Sequence, residues 1–394
     1  MANIVHFRDT GSLDERRKLI ARLTLPQLHL FRVDDPLLYL PFTMGKRYEC
    51  ARVRGKPQEF KTILTPQQKH IATEGLTALL NDTTPSILLT LFCGGGKTVI
   101  ILWILAQLGL PALILVPRIV LKTQWKERIA QFCPTLIYSI QTIHMIESFD
   151  YESWPILVLD EVHQIFTREG FRTIFKCAPL YLIGASATPW RPDELNVFEL
   201  FFSRRLSFAR PTFKSRVLVV RTGLTPQTEQ TAQGKLDWNS LLNWQASDPA
   251  RIEIIVRYAR ATPTPQLILT KRVAASRLIA DNIGSSDGGE VHVQIVGGTC
   301  AQAKMNPETT HLIATFAKLG TGFDCAALVT LLLTSDVVEY FEQYAGRILR
   351  NCDSSGALFV EFLDNFAPLW SHFAERRHFY DSIGAKDEWR RVGE

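Results

Sequence analysis

Residues 91–98 read LFCGGGKT, set between an apolar β-branched run and an apolar stretch of helical length. That junction constrains the chain more than any other feature. Gly94, Gly95 and Gly96 permit a tight turn whose backbone amides can converge on one anion. Lys97 adds a cation and Thr98 a hydroxyl where the following helix begins. A strand, a glycine turn and a helix N-terminus together make a cradle for phosphate. The pattern departs from GxxxxGK[ST] at its first position, where Leu91 stands.

The companion feature is ILVLDEVH at 156–163. Its apolar residues carry a strand into a core. Asp160 and Glu161 then emerge at the carboxyl end, where open α/β sheets bind ligands. Asp160 suits Mg²⁺, directly or through water, and Glu161 suits orienting or deprotonating an attacking water. Lys97 would meet the β- and γ-phosphates of ATP, and Thr98 would hold the metal. ATP and Mg²⁺ are therefore the expected cofactors. No HRD or DFG element of a protein phosphotransferase occurs.

Short apolar runs alternate with longer amphipathic ones around these features. ILLTLF (87–92), ALILV (112–116), ILVLD (156–160) and YLIGAS (181–186) read as strands separated by helices. The alternation breaks over 204–235, which is basic, polar and contains turn residues; that stretch has room for one or two strands but reads as the crossing between lobes. The alternation resumes with QLILT (266–270), VHVQIV (291–296), HLIAT (311–315) and ALVTLLLT (327–334). Apolar strands joined by helices imply parallel sheets covered on both faces. The expected fold class is α/β, with two such lobes in tandem. The expected boundaries are a small N-terminal accessory region at 1–60, a first lobe at 61–205, a linker at 206–235 and a second lobe at 236–394.

Composition excludes several classes. With 46% hydrophobic and 21% charged residues the chain is globular, not disordered. Seven cysteines without a CxxC pair argue for neither a zinc site nor a disulfide framework. The apolar run ILWILAQLGLPALILVP is interrupted by Gln, Gly and Pro, so no membrane span is expected. The N-terminus lacks a signal-peptide pattern, so a soluble intracellular protein is expected. A net charge of +5 and a pI near 8.8 permit a polyanionic partner.

The motifs in order resemble those of superfamily 2 helicases across about residues 64–350. LTPQQ (64–68) is similar to the family's LRPYQ element, LFCGGGKT to motif I, and LVPRIVLKTQW (115–125) to motif Ia. DEVH is similar to motif II, SAT (186–188) to motif III and LILTKR (267–272) to motif IV. ATFAKLGTGFD (314–324) and QYAGRILR (343–350) resemble motifs V and VI. The resemblance implies two RecA-like P-loop domains and an ATP-dependent motor on nucleic acid.

It also implies residue roles. Gln68 would read the adenine edge. Ser186 and Thr188 would couple hydrolysis to movement. Gly322 and Asp324 would link nucleotide state to the grip on nucleic acid, and Gln343 would face the nucleotide. Arg347 and Arg350 would meet the γ-phosphate as arginine fingers do. Arg118, Lys122, Lys126 and Thr142 in the first lobe, with Lys271 and Arg272 in the second, would touch the nucleic-acid backbone. Trp125, Trp154 and Trp190 are candidate stacking residues.

The GR-x-x-R ending, with VDDPLLYLPFTMGKRY (33–48) and FLDNFAPLWSHFAERRHFY (362–380), is similar to one branch of the superfamily. That branch holds the eukaryotic transcription and repair helicase, a large-phage repair helicase and a poxvirus transcript-release helicase. The compact length suits a virus or phage, which would put the protein in host cytoplasm or virion. DNA is the favoured track. RNA unwinding and duplex translocation without strand separation are the alternatives. A monomer is expected, because both halves of the ATP site lie in one chain.

Overall fold

The computed structural model describes residues 4–6, 12–25, 28–34, 37–44, 53–92, 94–144, 149–187, 197–208, 214–284, 291–296, 305–316, 328–338, 341–349 and 356–392. The side chains of residues 4–6, Val120, Gln343 and Arg347 lie outside that description. Two compact units divide the chain, Met1–Ala209 and Arg210–Glu394.

The first unit opens with β1 (Ile4–His6), α1 (Leu13–Arg22), β2 (Thr24–Leu25), β3 (Leu28–His29), β4 (Arg32–Asp34) and β5 (Leu37–Tyr39). Then come α2 (Pro66–Asn81), β6 (Ser86–Thr90), α3 (Lys97–Leu108), β7 (Ala112–Val116), α4 (Ile119–Phe132) and β8 (Tyr138–Thr142). The unit ends with β9 (Ile156–Asp160), α5 (Val162–Ile165), α6 (Arg168–Ile174), β10 (Tyr181–Ser186), α7 (Val197–Phe201) and β11 (Arg204–Leu206). Its main sheet has the order β11-β6-β10-β9-β7-β8, and every pairing is parallel.

Alternation along the strands splits the core into two layers. Ile87, Leu89, Ala112, Ile114 and Val158 face a layer containing α2, α3 and α4 residues. Leu88, Leu113, Leu115, Leu157 and Leu159 face the other layer, with Val162, Phe171 and Phe201. Successive side chains of a strand point to opposite faces. Burial on both faces explains why these strands read as unbroken apolar runs.

The accessory region is built onto this second layer. Leu23, Leu30, Leu38, Tyr39, Leu40 and Phe42 share one buried cluster with the sheet residues. β1, β5 and β4 form a separate antiparallel sheet, and β2 pairs with β3. Residues 55–61 then run along the other side, where Gly55 N–H donates to Leu108 and Gln58 N–H to Ala106. The N-terminal segment thus covers the first lobe rather than forming a core of its own.

The second unit contains β12 (Arg216–Arg221), α8 (Trp238–Ser247), α9 (Pro249–Ala261), β13 (Gln266–Thr270), α10 (Val273–Gly284), β14 (Val293–Val296) and β15 (His311–Thr315). It continues with β16 (Thr330–Leu333), α11 (Phe341–Leu349), β17 (Leu358–Leu363), α12 (Ala367–Ser382) and β18 (Lys386–Arg391). Its parallel sheet has the order β14-β15-β13-β16-β17-β12-β18. This corrects the expected linker at 206–235. β12 lies inside the second sheet between β17 and β18, and Val217, Leu218, Val219 and Val220 are buried. Four consecutive buried apolar residues need partners on both faces, and a surface linker cannot supply them. Two parallel sheets flanked by helices, with a small N-terminal segment, form the architecture expected for tandem RecA-like domains.

Candidate active site

The glycine turn follows β6 and leads into α3. Gly94 and Gly96 have φ of 90° and 86°, a left-handed backbone that glycine adopts without steric cost. A Cβ at Gly96 would collide with the Gln68 amide. Gly95 N–H donates to the Phe92 carbonyl at 3.0 Å, closing the turn. Gly96 is the N-cap of α3 and offers no side-chain cap. The first amides of the helix therefore keep the positive end of its dipole uncapped by a side chain. Lys97 opens the helix, and its Nζ donates to the Leu91 carbonyl at 3.0 Å. Thr98 follows, half-buried.

Gln68 sits over this turn for a local reason. Thr65 caps α2, and Gln68 completes a capping box with Pro66 in the first turn. Gln68 Oε1 accepts from Thr65 N–H at 3.1 Å, and Nε2 donates to the Gly95 carbonyl at 3.4 Å. The amide expected at the adenine edge is here engaged by the cap and the glycine turn.

Three neighbouring strand ends converge. β6, β10 and β9 are adjacent, with Thr90 in register with Ser186 and Ala185 with Asp160. Asp160 ends β9 and is 8% exposed. Its Oδ2 accepts from Trp125 Nε1 at 2.8 Å and its Oδ1 from Glu161 N–H at 3.0 Å. Burial first, and then the Glu161 charge, push its carboxyl up to about 6; the Trp125 N–H and the Lys97 charge oppose that rise.

Among the described residues, Glu161 is the one non-glycine with a left-handed backbone, φ 51°. Such strain costs about 1–3 kcal/mol and collects at functional sites. Glu161 Oε2 is buried with no hydrogen-bond partner and lies 3.6 Å from His163 Nδ1. His163 Nδ1 is in turn 2.9 Å from Ser186 Oγ.

This donor set fits a divalent cation. Two adjacent carboxylates, one buried and one with an unpartnered buried oxygen, are short of positive charge. Among the described residues no cluster of three or more His, Cys, Asp or Glu could hold a metal alone. A phosphate-loop Mg²⁺ needs only a hydroxyl and a carboxylate, because phosphate and water supply the other oxygens.

Of the expected nucleic-acid contacts, Arg118, Lys122 and Lys126 fall on or beside α4 and Thr142 at the end of β8. Arg118 is the exposed N-cap of α4, Lys126 is exposed, and Lys122 Nζ donates to Gln141 Oε1 at 3.4 Å. Thr142 ends β8, in register with Val116. In the second unit, Lys271 follows β13 with an exposed side chain. Arg272 donates to Asn239 Oδ1 at 2.9 Å, leaving its buried Nε unpartnered. Gln343 and Arg347 fall on α11. Thr188, Trp190, Gly322, Asp324 and Arg350 lie outside the described residues.

The stacking expectation for Trp125 is overturned. Its ring is 2% exposed in the core, and its N–H is committed to Asp160. Trp154 stacks on Phe149 and donates to the Asp150 carbonyl at 3.0 Å. Sequence reasoning also passed over His163, although its place in DEVH beside SAT was the available signal.

Among the described residues, no helix is long and apolar enough to cross a membrane. Residues 61–137 match the family described as "Type III restriction enzyme, res subunit". "Putative helicase 161L" of invertebrate iridescent virus 6 is 32% identical, over 90% of this chain and 90% of its own length. "Putative helicase 055L" of frog virus 3 is 29% identical, over 88% and 85%. "Putative ATP-dependent RNA helicase QP509L" of African swine fever virus is 20% identical, over 92% and 83%. Among solved structures, yeast Dbp5 bound to Gle1 and IP6 has a TM-score of 0.53 at 13% identity, over 83% of this chain and 93% of that one. That likeness is one of fold alone.

Proposed function

The chain belongs to the superfamily 2 helicases, in the family of 161L of invertebrate iridescent virus 6, and from that premise we propose an ATP-driven helicase that moves on DNA and separates its strands. The observation that carries this reading is the convergence of the glycine turn, Asp160–Glu161 and Ser186 on three adjacent strand ends. ATP with Mg²⁺ would supply the hydrolysable phosphoryl group. Gly94, Gly95 and Gly96 cradle its phosphates, Lys97 neutralises them, and Gln68 lies where a base edge could replace its present partners. Thr98 and Asp160 hold the metal. Glu161, whose buried Oε2 has no hydrogen-bond partner, accepts the proton of the attacking water. Ser186, through His163, and Thr188 relay nucleotide state to movement.

The second half of the site is proposed from the motif resemblance. Arg347 and Arg350, three apart in the motif VI stretch, stabilise charge in the transition state, with Gln343, Gly322 and Asp324 beside the nucleotide. Arg118, Lys122, Lys126, Thr142, Lys271 and Arg272 grip phosphates without reading sequence. The protein acts as a monomer. The GR-x-x-R ending supports the branch that includes the eukaryotic transcription and repair helicase. A second reading, an RNA helicase, is favoured by the name carried by the African swine fever virus relative.

ATP hydrolysis measured side by side with single-stranded DNA, duplex DNA and RNA tests the proposal. Single-stranded DNA should stimulate most. Lys97→Ala and Glu161→Gln should abolish turnover while oligonucleotide binding persists. Greatest stimulation by RNA selects the second reading. Hydrolysis by Glu161→Gln at the wild-type rate removes Glu161 as the base.

A further inference from the structure

The helix α4 carries two chemistries on adjoining faces. Arg118 and Lys126 are exposed and Lys122 is half-buried, while Trp125 and Ile129, one turn apart, are buried. Trp125 sits between the two lysines in sequence, so its buried ring and their ammonium groups ride on one rigid element. The indole has one donor and no acceptor. That donor is spent on Asp160 Oδ2 at 2.8 Å, across 35 residues of sequence. With Glu161 N–H on Oδ1, both carboxylate oxygens are oriented by a hydrogen bond, and each keeps a further lone pair for a cation.

We propose that Trp125 is a positioning residue that ties the basic face of α4 to the Mg²⁺ ligand Asp160, so that a nucleic-acid phosphate gripped by α4 is felt at the metal site. The inference rests on the reading of this chain as a nucleic-acid motor and adds the physical link between its two sites. A hydrogen bond of 2.8 Å is lost beyond about 3.5 Å, so a helix shift of under about 1 Å relative to β9 changes the support of the carboxylate. Packed elements transmit such shifts because the interior is dense. α4 is also held by Ile129 in the same buried cluster as Trp125, so the ring moves with the helix backbone rather than independently. An indole buried to this degree cannot stack on a base, which leaves its N–H as the group through which it can act.

The test uses the full chain and a fluorescent ATP analogue, whose binding is titrated with Mg²⁺. In the wild type, saturating single-stranded oligonucleotide should lower the Mg²⁺ concentration needed for half-maximal binding. Trp125→Phe keeps most of the ring and removes the N–H. It should raise that midpoint about tenfold or more, as expected for loss of a buried hydrogen bond to a charged group. It should also erase most of the oligonucleotide's effect, while oligonucleotide affinity by anisotropy stays within about twofold at fixed salt. Lys122→Ala with Lys126→Ala, in the presence of Trp125, should remove the oligonucleotide's effect on the Mg²⁺ midpoint. A wild-type midpoint that ignores oligonucleotide overturns the link without any variant. A Trp125→Phe protein with a wild-type midpoint makes Trp125 a core residue only. Failure of the broader reading looks different: no nucleic acid would bind or stimulate hydrolysis, yet the Trp125→Phe midpoint without oligonucleotide would still report on Asp160.

Discussion

Arg251 offers the sharpest test of how the second lobe is held together. It is fully buried on α9 and faces Asp364, also fully buried, just beyond β17. Arg251 Nε donates to Asp364 Oδ1 and Oδ2 at 3.1 and 3.0 Å. Its Nη1 donates to the Gln245 carbonyl at 3.1 Å and to the Thr334 carbonyl at 2.7 Å. One side chain thus joins α8, α9 and the ends of β16 and β17. Replacing it with Met fills much of the volume and strands the Asp364 charge, which among the described residues keeps Thr222 Oγ1 at 2.8 Å and Gln245 Nε2 at 3.1 Å. Breaking a buried pair from one side costs about 3–5 kcal/mol. The Nη2 of Arg251 is already unpartnered, so the lower end applies, about 3 kcal/mol. Against a typical domain stability of about 5–15 kcal/mol, that is a large fraction. Urea unfolding followed by tryptophan fluorescence measures it, and hydrogen exchange of the β16 and β17 amides assigns the loss to this sheet. Arg251→Met combined with Asp364→Leu should be less destabilised than Arg251→Met alone, because no charge is stranded. A single variant within about 1 kcal/mol of wild type would refute the reasoning.

Three further outcomes are expected. Ser186→Ala removes a hydrogen-bond partner of His163 Nδ1, and with Thr188→Ala it should spare most ATP hydrolysis while impairing unwinding; equal loss of both activities on one preparation would deny a coupling role. Arg347→Lys should lower kcat by about 10³–10⁵ despite keeping its charge, since an ammonium cannot copy a planar guanidinium, while nucleotide Kd changes little; a near-normal kcat would move the finger elsewhere. Burial pushes the thiols of Cys133 and Cys177 up, so both should resist iodoacetamide at neutral pH until the chain unfolds, and mass spectrometry of native labelling would expose any failure.

Much of the candidate site was legible because its chemistry is local. A glycine turn needs its residues contiguous, and the left-handed φ of Gly94 and Gly96 meets that expectation. The carboxylates of Asp160 and Glu161 follow a strand whose five residues are all buried, so their place at its end could be read from the apolar run. The same reading went astray at 206–235, where basic and turn residues on either side of β12 suggested a crossing between lobes, although the strand there pairs with the distant β17 and β18. It also offered Trp125 as a stacking platform, since nothing near position 125 announces burial.

The amino-acid sequence by itself determined the succession of apolar strands, the glycine turn and the acidic strand end. Each depends on periodicity or backbone freedom within a few residues. Tertiary structure alone decided what those parts touch. Trp125 meets Asp160 across 35 residues, His163 meets Ser186 across 23 and Arg251 meets Asp364 across 113. Such pairings are set by strand order, β10-β9-β7 in one sheet and β16-β17-β12 in the other. Strand order follows from packing two faces of a sheet at once, a condition that no local stretch of sequence records.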